Sequence, residues 1–135
     1  MVRLTWLAII VSSAATACTD NSVGPSGVIG GTWQLVSIQR NGSDPISVAN
    51  PSRYTLRLDE DGRVRVMSDC NSCGGSYTLS GSTLAFTPLA CTRAFCGEAS
   101  LDSIYSRALD GTSTVSVNDS TLSITGGGVT LQFKR

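Results

Sequence analysis

The sequence predicts a mainly β fold: a small antiparallel, barrel-like sheet of about eight strands with one α-helix packed on it. Three observations support this prediction. Short runs of β-branched and aromatic residues alternate with turn residues after Gly31. Apolar and polar side chains alternate within several runs, and only residues 98–109 have the spacing of an amphipathic helix. Many short strands joined by short connections favour a closed barrel, because closure leaves no strand edge exposed.

The candidate strands are separated by residues that favour turns, such as Asp61-Gly62. In chain order they are residues 32–38, 54–58, 63–68, 76–79, 83–87, 114–117, 121–125 and 129–133. Residues 39–52 carry Asn, Gly, Pro and Ser and are predicted to form a loop. Trp33 is expected to lie in the core, and Tyr77 is expected to point inward with its hydroxyl group hydrogen-bonded.

The predicted helix covers residues 98–109. Its apolar residues recur at intervals that place them on one face: Leu101, Ile104, Tyr105, Ala108 and Leu109. Gly97 and Glu98 suit the beginning of a helix, and Gly111 lies just beyond its end. The apolar face is therefore expected to pack on the sheet.

The second and third candidate strands are predicted to form a hairpin. Pairing Leu56 with Val66 keeps the apolar side chains of both strands on one face. This register leaves residues 60–62 as the loop, with Gly62 at the position that requires a left-handed backbone.

The same register places Arg57 opposite Arg65 on the outward face, with Arg53 nearby. Like charges directly opposite each other destabilise a sheet. These arginines are therefore a candidate anion-binding patch for a phosphate headgroup, a glycan or another anionic surface. The alternative interpretation is a solvated face on which Asp59, opposite Arg63, screens the charges, because exposed charges are easily separated in water.

The N-terminus predicts export. Residues 1–17 have the charged, apolar and small-residue regions of a signal peptide, and the apolar run is too short for a stable membrane span. Cys18 follows Ala15-Thr16-Ala17, which is similar to a bacterial lipobox, so Cys18 is predicted to be lipidated. The alternative is an ordinary cleavage site followed by a chance cysteine. Residues 18–31 are predicted to be the lipidated cysteine and a flexible tether.

These signals also predict where the protein is located. Several acyl chains on Cys18 would anchor it stably to a membrane of the bacterial cell envelope, facing the periplasm. Thr19 occupies the position at which an Asp would resemble an inner-membrane retention signal. The outer membrane is therefore favoured.

Four further cysteines, Cys70, Cys73, Cys91 and Cys96, lie in the middle of the chain. Their spacing allows three interpretations: two disulfides, a tetrahedral zinc site, or a redox pair formed by Cys70 and Cys73. Export into an oxidising compartment favours disulfides. Three connectivities are possible. The nested one, Cys70 with Cys96 and Cys73 with Cys91, is preferred because it suits two antiparallel segments.

Short motifs occur in a fixed order along residues 31–135: Trp33-Gln34-Leu35, Asp69-Cys70-Asn71, Gly75-Ser76-Tyr77, Thr92-Arg93-Ala94-Phe95-Cys96 and Leu131-Gln132-Phe133. Together they resemble the META domain, the family of HslJ-like heat-inducible bacterial lipoproteins. The chain departs from the family pattern in that Asp69 replaces a Gly, Ala94 replaces a usual Met, and Cys73 and Cys91 look like an added pair. If the family's own cysteines correspond to Cys70 and Cys96, the nested pairing follows.

The resemblance implies a β-rich, barrel-like domain over residues 32–135 with one helix. It also implies a stress-linked role in the cell envelope. It does not imply an enzyme, because the family has no settled catalytic residues to carry over.

Two polar residues beside the cysteines are candidates for ligand contact. Arg93 could bind an anion, or could pair with Glu98 or Asp102 on the predicted helix. Asn71 could present its amide to a ligand, but a left-handed turn residue next to a disulfide is the preferred interpretation. Arg93 is therefore the candidate ligand contact.

The residue inventory argues against catalysis. The sequence has no histidine and no phosphate-binding, dinucleotide-binding or serine-hydrolase motif. Its formal net charge of zero does not favour nucleic-acid binding. We expect a non-enzymatic, monomeric lipoprotein without cofactor or metal, which binds an envelope protein or an anionic surface, or stabilises the envelope. The alternatives are a barrel that carries a small ligand and a thiol–disulfide oxidoreductase that uses Cys70 and Cys73.

Overall fold

The computed structural model of the protein describes residues 27–135. The predicted signal peptide over residues 1–17 and the predicted lipidation of Cys18 lie outside the described residues. The same holds for the predicted tether as far as residue 26.

Ten antiparallel strands form a single sheet in the described part of the chain. They are β1 (Thr32–Arg40), β2 (Ile46–Ser47), β3 (Tyr54–Leu58), β4 (Arg63–Ser68), β5 (Asn71–Ser80), β6 (Thr83–Phe86), β7 (Ala90–Cys91), β8 (Gly111–Asn118), β9 (Thr121–Gly126) and β10 (Val129–Lys134). Eight of them close into a barrel in the order β1-β3-β4-β5-β6-β8-β9-β10, because β10 also pairs with β1. The short strands β2 and β7 pair with β1 and β5. One α-helix, α1 (Asp102–Ala108), and a short 3-10 helix (Pro51–Arg53) complete the elements. The predicted fold class is confirmed.

Two of the strands with clear alternation match their predicted bounds. β3 and β4 begin and end where the sequence predicts. Their hairpin has the predicted register, with Leu56 opposite Val66 and Arg57 opposite Arg65. Gly62 adopts a φ of 84°, which the tight turn requires and which glycine tolerates best.

Several predicted bounds were wrong, because tertiary contacts decide them. β8 begins at Gly111 rather than at residue 114, since its first residues pair with β6. β5 begins at Asn71 rather than at residue 76, since its first half, poor in apolar residues, pairs with both β4 and β7. α1 begins at Asp102 rather than at residue 98, because Gly97 has a φ of 102° and accepts a hydrogen bond from the Ser100 amide, which forms a separate turn. The predicted loop over residues 39–52 contains the end of β1, the whole of β2 and the beginning of the 3-10 helix.

Successive barrel strands run in opposite directions, so the connections alternate between the two ends of the barrel. The two ends differ in the length of these connections. One end, called here the short-turn end, has only brief connections: residues 27–31, 59–62, 81–82 and 119–120, with Arg135. The opposite end, called here the long-loop end, is made by residues 41–53, 69–70, 87–110 and 127–128. The longest connections of the described chain, including α1, therefore lie together at one end.

The interior of the barrel is filled with side chains. The largest fully buried ones come from β1, β3, β6, β9 and β10, from α1 and from the residue after it: Trp33, Leu35, Ile38, Leu56, Leu58, Leu84, Tyr105, Leu109, Leu122, Ile124, Leu131 and Phe133. At the short-turn end the Trp33 indole donates a hydrogen bond of 2.9 Å to the Val28 carbonyl and is covered by Arg135, 4.5 Å above the ring. At the long-loop end Tyr105 of α1 packs edge-on against Tyr54, with ring centroids 6.0 Å apart. Both ends of the core are therefore covered.

Candidate functional site

Two disulfides hold the long-loop end. Cys70 is bonded to Cys96, and Cys73 is bonded to Cys91, as the nested pairing predicts. Cys73 and Cys91 lie opposite each other in the β5–β7 ladder, so the second disulfide joins two antiparallel segments. The six residues from 91 to 96, called here the clamped loop, are therefore fixed to the barrel at both ends.

Asn71 fixes the middle of the clamped loop. Its side chain is almost completely buried. The Asn71 Oδ1 atom accepts hydrogen bonds from the Ala94 amide (2.8 Å) and the Thr92 hydroxyl (3.0 Å). Its Nδ2 atom donates to the Ala94 carbonyl and to Asp102 Oδ2, both at 3.0 Å. Asn71 therefore joins the barrel, the clamped loop and α1, and its amide is used within the chain.

The left-handed residue beside the disulfide is Asp69, not Asn71, so the preferred interpretation of Asn71 was wrong. Asp69 has a φ of 59°, whereas Asn71 is the first residue of β5. The resemblance to the META domain implies a Gly at the position of Asp69, and Gly is the residue best suited to that backbone conformation. In this chain the Asp69 carboxylate is paired with Arg53. A hydrogen bond from Ser100, together with the charge of Arg53, lowers the pKa of Asp69.

The helix is tied to the barrel by two further hydrogen bonds. The Ser68 hydroxyl donates to the Asp102 carbonyl (3.2 Å), and the Leu101 amide donates to the Tyr54 hydroxyl (3.0 Å). Ser68 is fully buried and Tyr54 is nearly so. The loops of this end therefore form a rigid cap rather than a loose covering.

Two side chains of the clamped loop are directed to solvent. Phe95 is 83% exposed, more than any other large apolar residue of the described chain. Arg93 is also exposed and makes no ion pair among residues 27–135. Arg93 borders a polar groove of about 480 Å³ between the clamped loop and α1, where Arg107 and Asp110 form the opposite side. The predicted pairing of Arg93 with Glu98 or Asp102 does not form, and Asp102 bonds to Asn71 instead.

The three arginines of the candidate anion patch do not form one cluster of free cations. Arg57 and Arg65 lie opposite each other, as predicted, and both bind Asp59, at 2.7 and 2.8 Å. The hydrogen bonds from Arg65 and Arg57 lower the pKa of Asp59 to about 2. Arg53 is paired with Asp69 at the long-loop end. The carboxylates explain how the chain tolerates the arginine pair, and the anion-binding role stays a prediction.

The geometry of the cysteines differs from that of a redox or zinc site. Cys70 and Cys73 are bonded to different partners, so the C-x-x-C segment is not a dithiol pair. All four sulfur atoms take part in disulfide bonds. In the part of the chain that the structure describes, no group of three or more potential ligand residues is placed to bind a metal ion.

Two other expectations concern aromatic residues and membrane spans. Trp33 is fully buried, and the Tyr77 hydroxyl donates a 2.7 Å hydrogen bond to the Asp59 carbonyl, so both predictions for these residues are confirmed. Within residues 27–135 the structure contains no helix with the length and hydrophobicity needed to cross a bilayer.

Sequence reasoning missed the exposure of Phe95 and the structural role of Asn71. The signal for Phe95 is the Arg-Ala-Phe-Cys segment, in which an aromatic residue lies in a short loop closed by two cysteines. No signal in the sequence identifies the partners of Asn71, because they lie more than 20 residues away in the chain.

The architecture defines a class of protein: a small closed antiparallel barrel with a filled interior and a disulfide-bonded cap at one end. Small closed barrels are widely used by binding proteins, including the lipocalins. A sequence model of the META domain matches residues 26–135, and the chain belongs to the META domain family.

Solved structures share this fold. The chain is similar to a protein from Burkholderia xenovorans solved by NMR, with 25% identity and a TM-score of 0.66 over 80% of this chain and 83% of that one. A lipocalin-like protein from Bacteroides uniformis has 17% identity and a TM-score of 0.56, with coverage of 81% and 99%. A protein from Bacteroides eggerthii has 16% identity and a TM-score of 0.57, with coverage of 80% and 98%. No curated protein matches the chain in sequence.

Proposed function

We propose that this protein is a non-enzymatic binding module, anchored to the bacterial cell envelope through a lipid on Cys18, that binds its partner with the long-loop end. One observation carries the proposal: the interior is filled, while the long connections and both disulfides are collected at one end. Binding residues are commonly placed on loops that a rigid scaffold positions. The long-loop end has this arrangement.

The envelope location has two lines of support. Two structural disulfides suit an oxidising compartment outside the cytoplasm. The lipobox-like Ala15-Thr16-Ala17-Cys18 sequence supplies an anchoring site. Membership of the META domain family is in keeping with an HslJ-like, stress-related role. We extend the proposal to a monomer on the outer membrane, with the domain facing the periplasm.

The alternatives have less support. A barrel that carries a small ligand needs an interior cavity, and side chains with 0–1% exposure occupy that space, among them Trp33, Leu84 and Phe133. The lipocalin-like protein from Bacteroides uniformis shares the fold, but at 17% identity this likeness says nothing about a ligand of the present chain. A thiol–disulfide oxidoreductase would need Cys70 and Cys73 to exchange with each other, and they are bonded elsewhere.

The anchoring is tested by the intact mass of the full-length protein, extracted from membranes and alkylated before and after reduction. We expect a chain that begins at Cys18, carries acyl chains, and takes up alkylating reagent on four cysteines only after reduction. The Cys18→Ser variant is the matched control and should lose both the lipid and the membrane association. An unlipidated wild-type chain, or alkylation without reduction, would contradict the proposal.

The site of binding is tested with a fluorescent fatty-acid analogue as a probe of the barrel interior. Because the core is filled, we expect no saturable binding by the full-length protein in detergent beyond that of detergent alone. Saturable binding with one site per chain would instead support the carrier alternative.

A further inference from the structure

The clamped loop presents one large apolar side chain to solvent under unusual constraint. Phe95 is 83% exposed, whereas the other exposed large apolar residues, Ile29, Ile46 and Met67, are between 36% and 47% exposed. An exposed aromatic ring usually gains by folding back onto the protein surface, because burial removes apolar area from water. Here the ring stays exposed, and the contacts of the neighbouring residues hold the backbone that carries it.

The backbone on both sides of Phe95 is fixed. Ala94 is held through its amide and its carbonyl by the buried Asn71 side chain. Cys96 is held by its disulfide to Cys70, and the Cys70 amide donates to the Cys96 sulfur at 3.3 Å. The backbone that carries Phe95 is therefore already ordered without a partner. A loop that is ordered before binding loses little backbone entropy on binding, which favours affinity.

The residue types also match those of a protein interface. Aromatic residues and arginines dominate the energetics of protein–protein contacts when they are inserted into a partner's pocket. Arg93 lies two positions before Phe95, is exposed and makes no ion pair within residues 27–135. Its charge suits a carboxylate at the edge of an apolar pocket.

An anionic membrane could also receive an aromatic residue and an arginine, so the position of the tether decides between the two partners. The described chain begins at Gly27, at the short-turn end, whereas Phe95 lies at the long-loop end. β1 has nine residues, and with a strand tilt near 40° this corresponds to a barrel height of about 20 Å. Residues 19–26 between Cys18 and Gly27 span at most about 29 Å when fully extended and about 16 Å on average when flexible.

A membrane that holds Cys18 would therefore meet the short-turn end first. Contact of the long-loop end with the same membrane would require the tether to span the height of the barrel, about 20 Å, which is more than its average length of about 16 Å when flexible. From these observations we propose that Phe95, with Arg93, is the docking point for a second, different protein on the side of the domain that faces away from the membrane. The partner has an apolar pocket that fits a benzyl group and an acidic residue at its edge. This inference rests on the proposed anchoring through Cys18.

The test uses the full-length chain in the cells that naturally produce it, with a photo-crosslinking phenylalanine derivative at position 95. The same derivative at position 67 is the matched control, because Met67 is an exposed apolar residue on the side of the barrel. A third position, Glu60, samples the short-turn end. We expect one protein adduct from position 95, which the Arg93→Glu substitution in the same chain abolishes, and no such adduct from position 67.

The captured protein is then purified and titrated with the detergent-extracted full-length chain. Phe95→Ala should weaken binding by about 30-fold, the effect of a typical hot-spot residue, and Met67→Ala should change it less than about twofold. The melting temperature of Phe95→Ala should equal that of the wild type, because the side chain is 83% exposed, and that of Met67→Ala, whose side chain is half-buried, should be close to it. The Cys70→Ala/Cys96→Ala variant should also weaken binding, since it releases the loop while it keeps Phe95.

Five results would overturn the inference: no protein adduct at position 95, lipid adducts at that position, an adduct with a second copy of this chain, equal adducts at positions 95 and 67, or an affinity that Phe95→Ala leaves within about threefold. The anchoring is judged separately. A chain without lipid on Cys18 that still gives the position-specific adduct would refute the proposed anchoring and leave the docking point standing. A lipidated chain without the adduct would refute only the docking point.

Discussion

Replacing Asn71 with aspartate tests whether one buried amide holds the cap on the barrel. Asn71→Asp preserves the shape of the side chain and the acceptor that binds Ala94 and Thr92. It replaces the Nδ2 donor with an oxygen that faces the Ala94 carbonyl and the Asp102 carboxylate, each 3.0 Å from the original nitrogen. Two hydrogen bonds to oxygen are lost, together with a longer one of 3.4 Å to the Cys96 sulfur, and a repulsion between two carboxylates takes the place of the bond to Asp102.

The size of the effect follows from these contacts. A hydrogen bond between neutral groups contributes about 1 kcal/mol and one to a charged group about 2 kcal/mol, so the lost bonds amount to about 3 kcal/mol. Asp102 is partly exposed and can be hydrated instead, so about 3 kcal/mol is an upper limit for the loss of stability. We expect the free energy of unfolding at pH 7 to fall by about 2 to 3 kcal/mol.

The pH dependence distinguishes this mechanism from a general loss of packing. The nearby carboxylate raises the pKa of the introduced carboxyl group, which would then take up a proton as the pH falls. Once protonated it can donate to Asp102 again. The penalty should therefore shrink between pH 7 and about pH 4.5, whereas that of Asn71→Ala should not.

The assay is urea unfolding of the wild type and the variants at several pH values, with the slope of the transition checked for constancy. Asn118→Asp is the matched control, because Asn118 is exposed at the short-turn end and its side chain makes no hydrogen bond among residues 27–135. It should change stability by less than about 0.5 kcal/mol. A penalty below about 1 kcal/mol for Asn71→Asp at pH 7, or one that does not depend on pH, would refute the reasoning.

Three further predictions concern stability. The Tyr105 hydroxyl is fully buried and has no hydrogen-bond partner among the described residues. Tyr105→Phe should therefore leave the free energy of unfolding unchanged or raise it by about 1 kcal/mol, measured by calorimetry. A clear loss of stability would show that the hydroxyl has a partner. Cys73→Ala/Cys91→Ala removes the disulfide that closes a loop with a sequence separation of 18. The free energy of unfolding, measured in urea, should fall by about 3 kcal/mol. An unchanged midpoint of urea unfolding would contradict the stabilising role of this disulfide. Folding lowers the pKa of Asp59 from 3.8 to about 2. The ionised carboxylate therefore contributes fully to the stability of the folded state above pH 3.8, and this contribution is lost as the pH falls through about 2. Asp59→Asn should therefore make stability depend less on pH in that window. It should also make stability rise with salt, because salt screens the repulsion between Arg57 and Arg65 that the carboxylate no longer offsets. The same dependence on pH in both proteins would count against the ion-pair geometry.

The sequence predicted the elements whose signals are local. β3 and β4 have strict alternation and a Gly62 turn, and each bound and the register followed from these features. The beginning of β5 could not be predicted in the same way, because residues 71–75 contain two glycines and no apolar alternation. This segment is a strand because β4 and β7 supply partners on both sides.

The candidate site was predictable only in part, for the same reason. The cysteine pairing followed from the preference for two antiparallel segments. The hydrogen-bond partners of Asn71 and the solvent exposure of Phe95 depend on how residues 92–96 lie across the end of the barrel. That placement results from contacts between residues that are distant in the chain, and no local pattern records it.

The pairing of β1 with β10 also determines when the domain can be completed. Every other seam of the barrel joins strands that are near each other in the chain, but this one joins residues 34–40 to residues 129–134. Closing so long a loop has a high entropy cost, and it must wait for the last strand. During synthesis the barrel therefore stays open along β1 until residues 129–134 emerge. If the chain is exported as proposed, β1 can pair with β10 only after Val129–Lys134 has crossed the membrane, so the chain crosses before its barrel is closed.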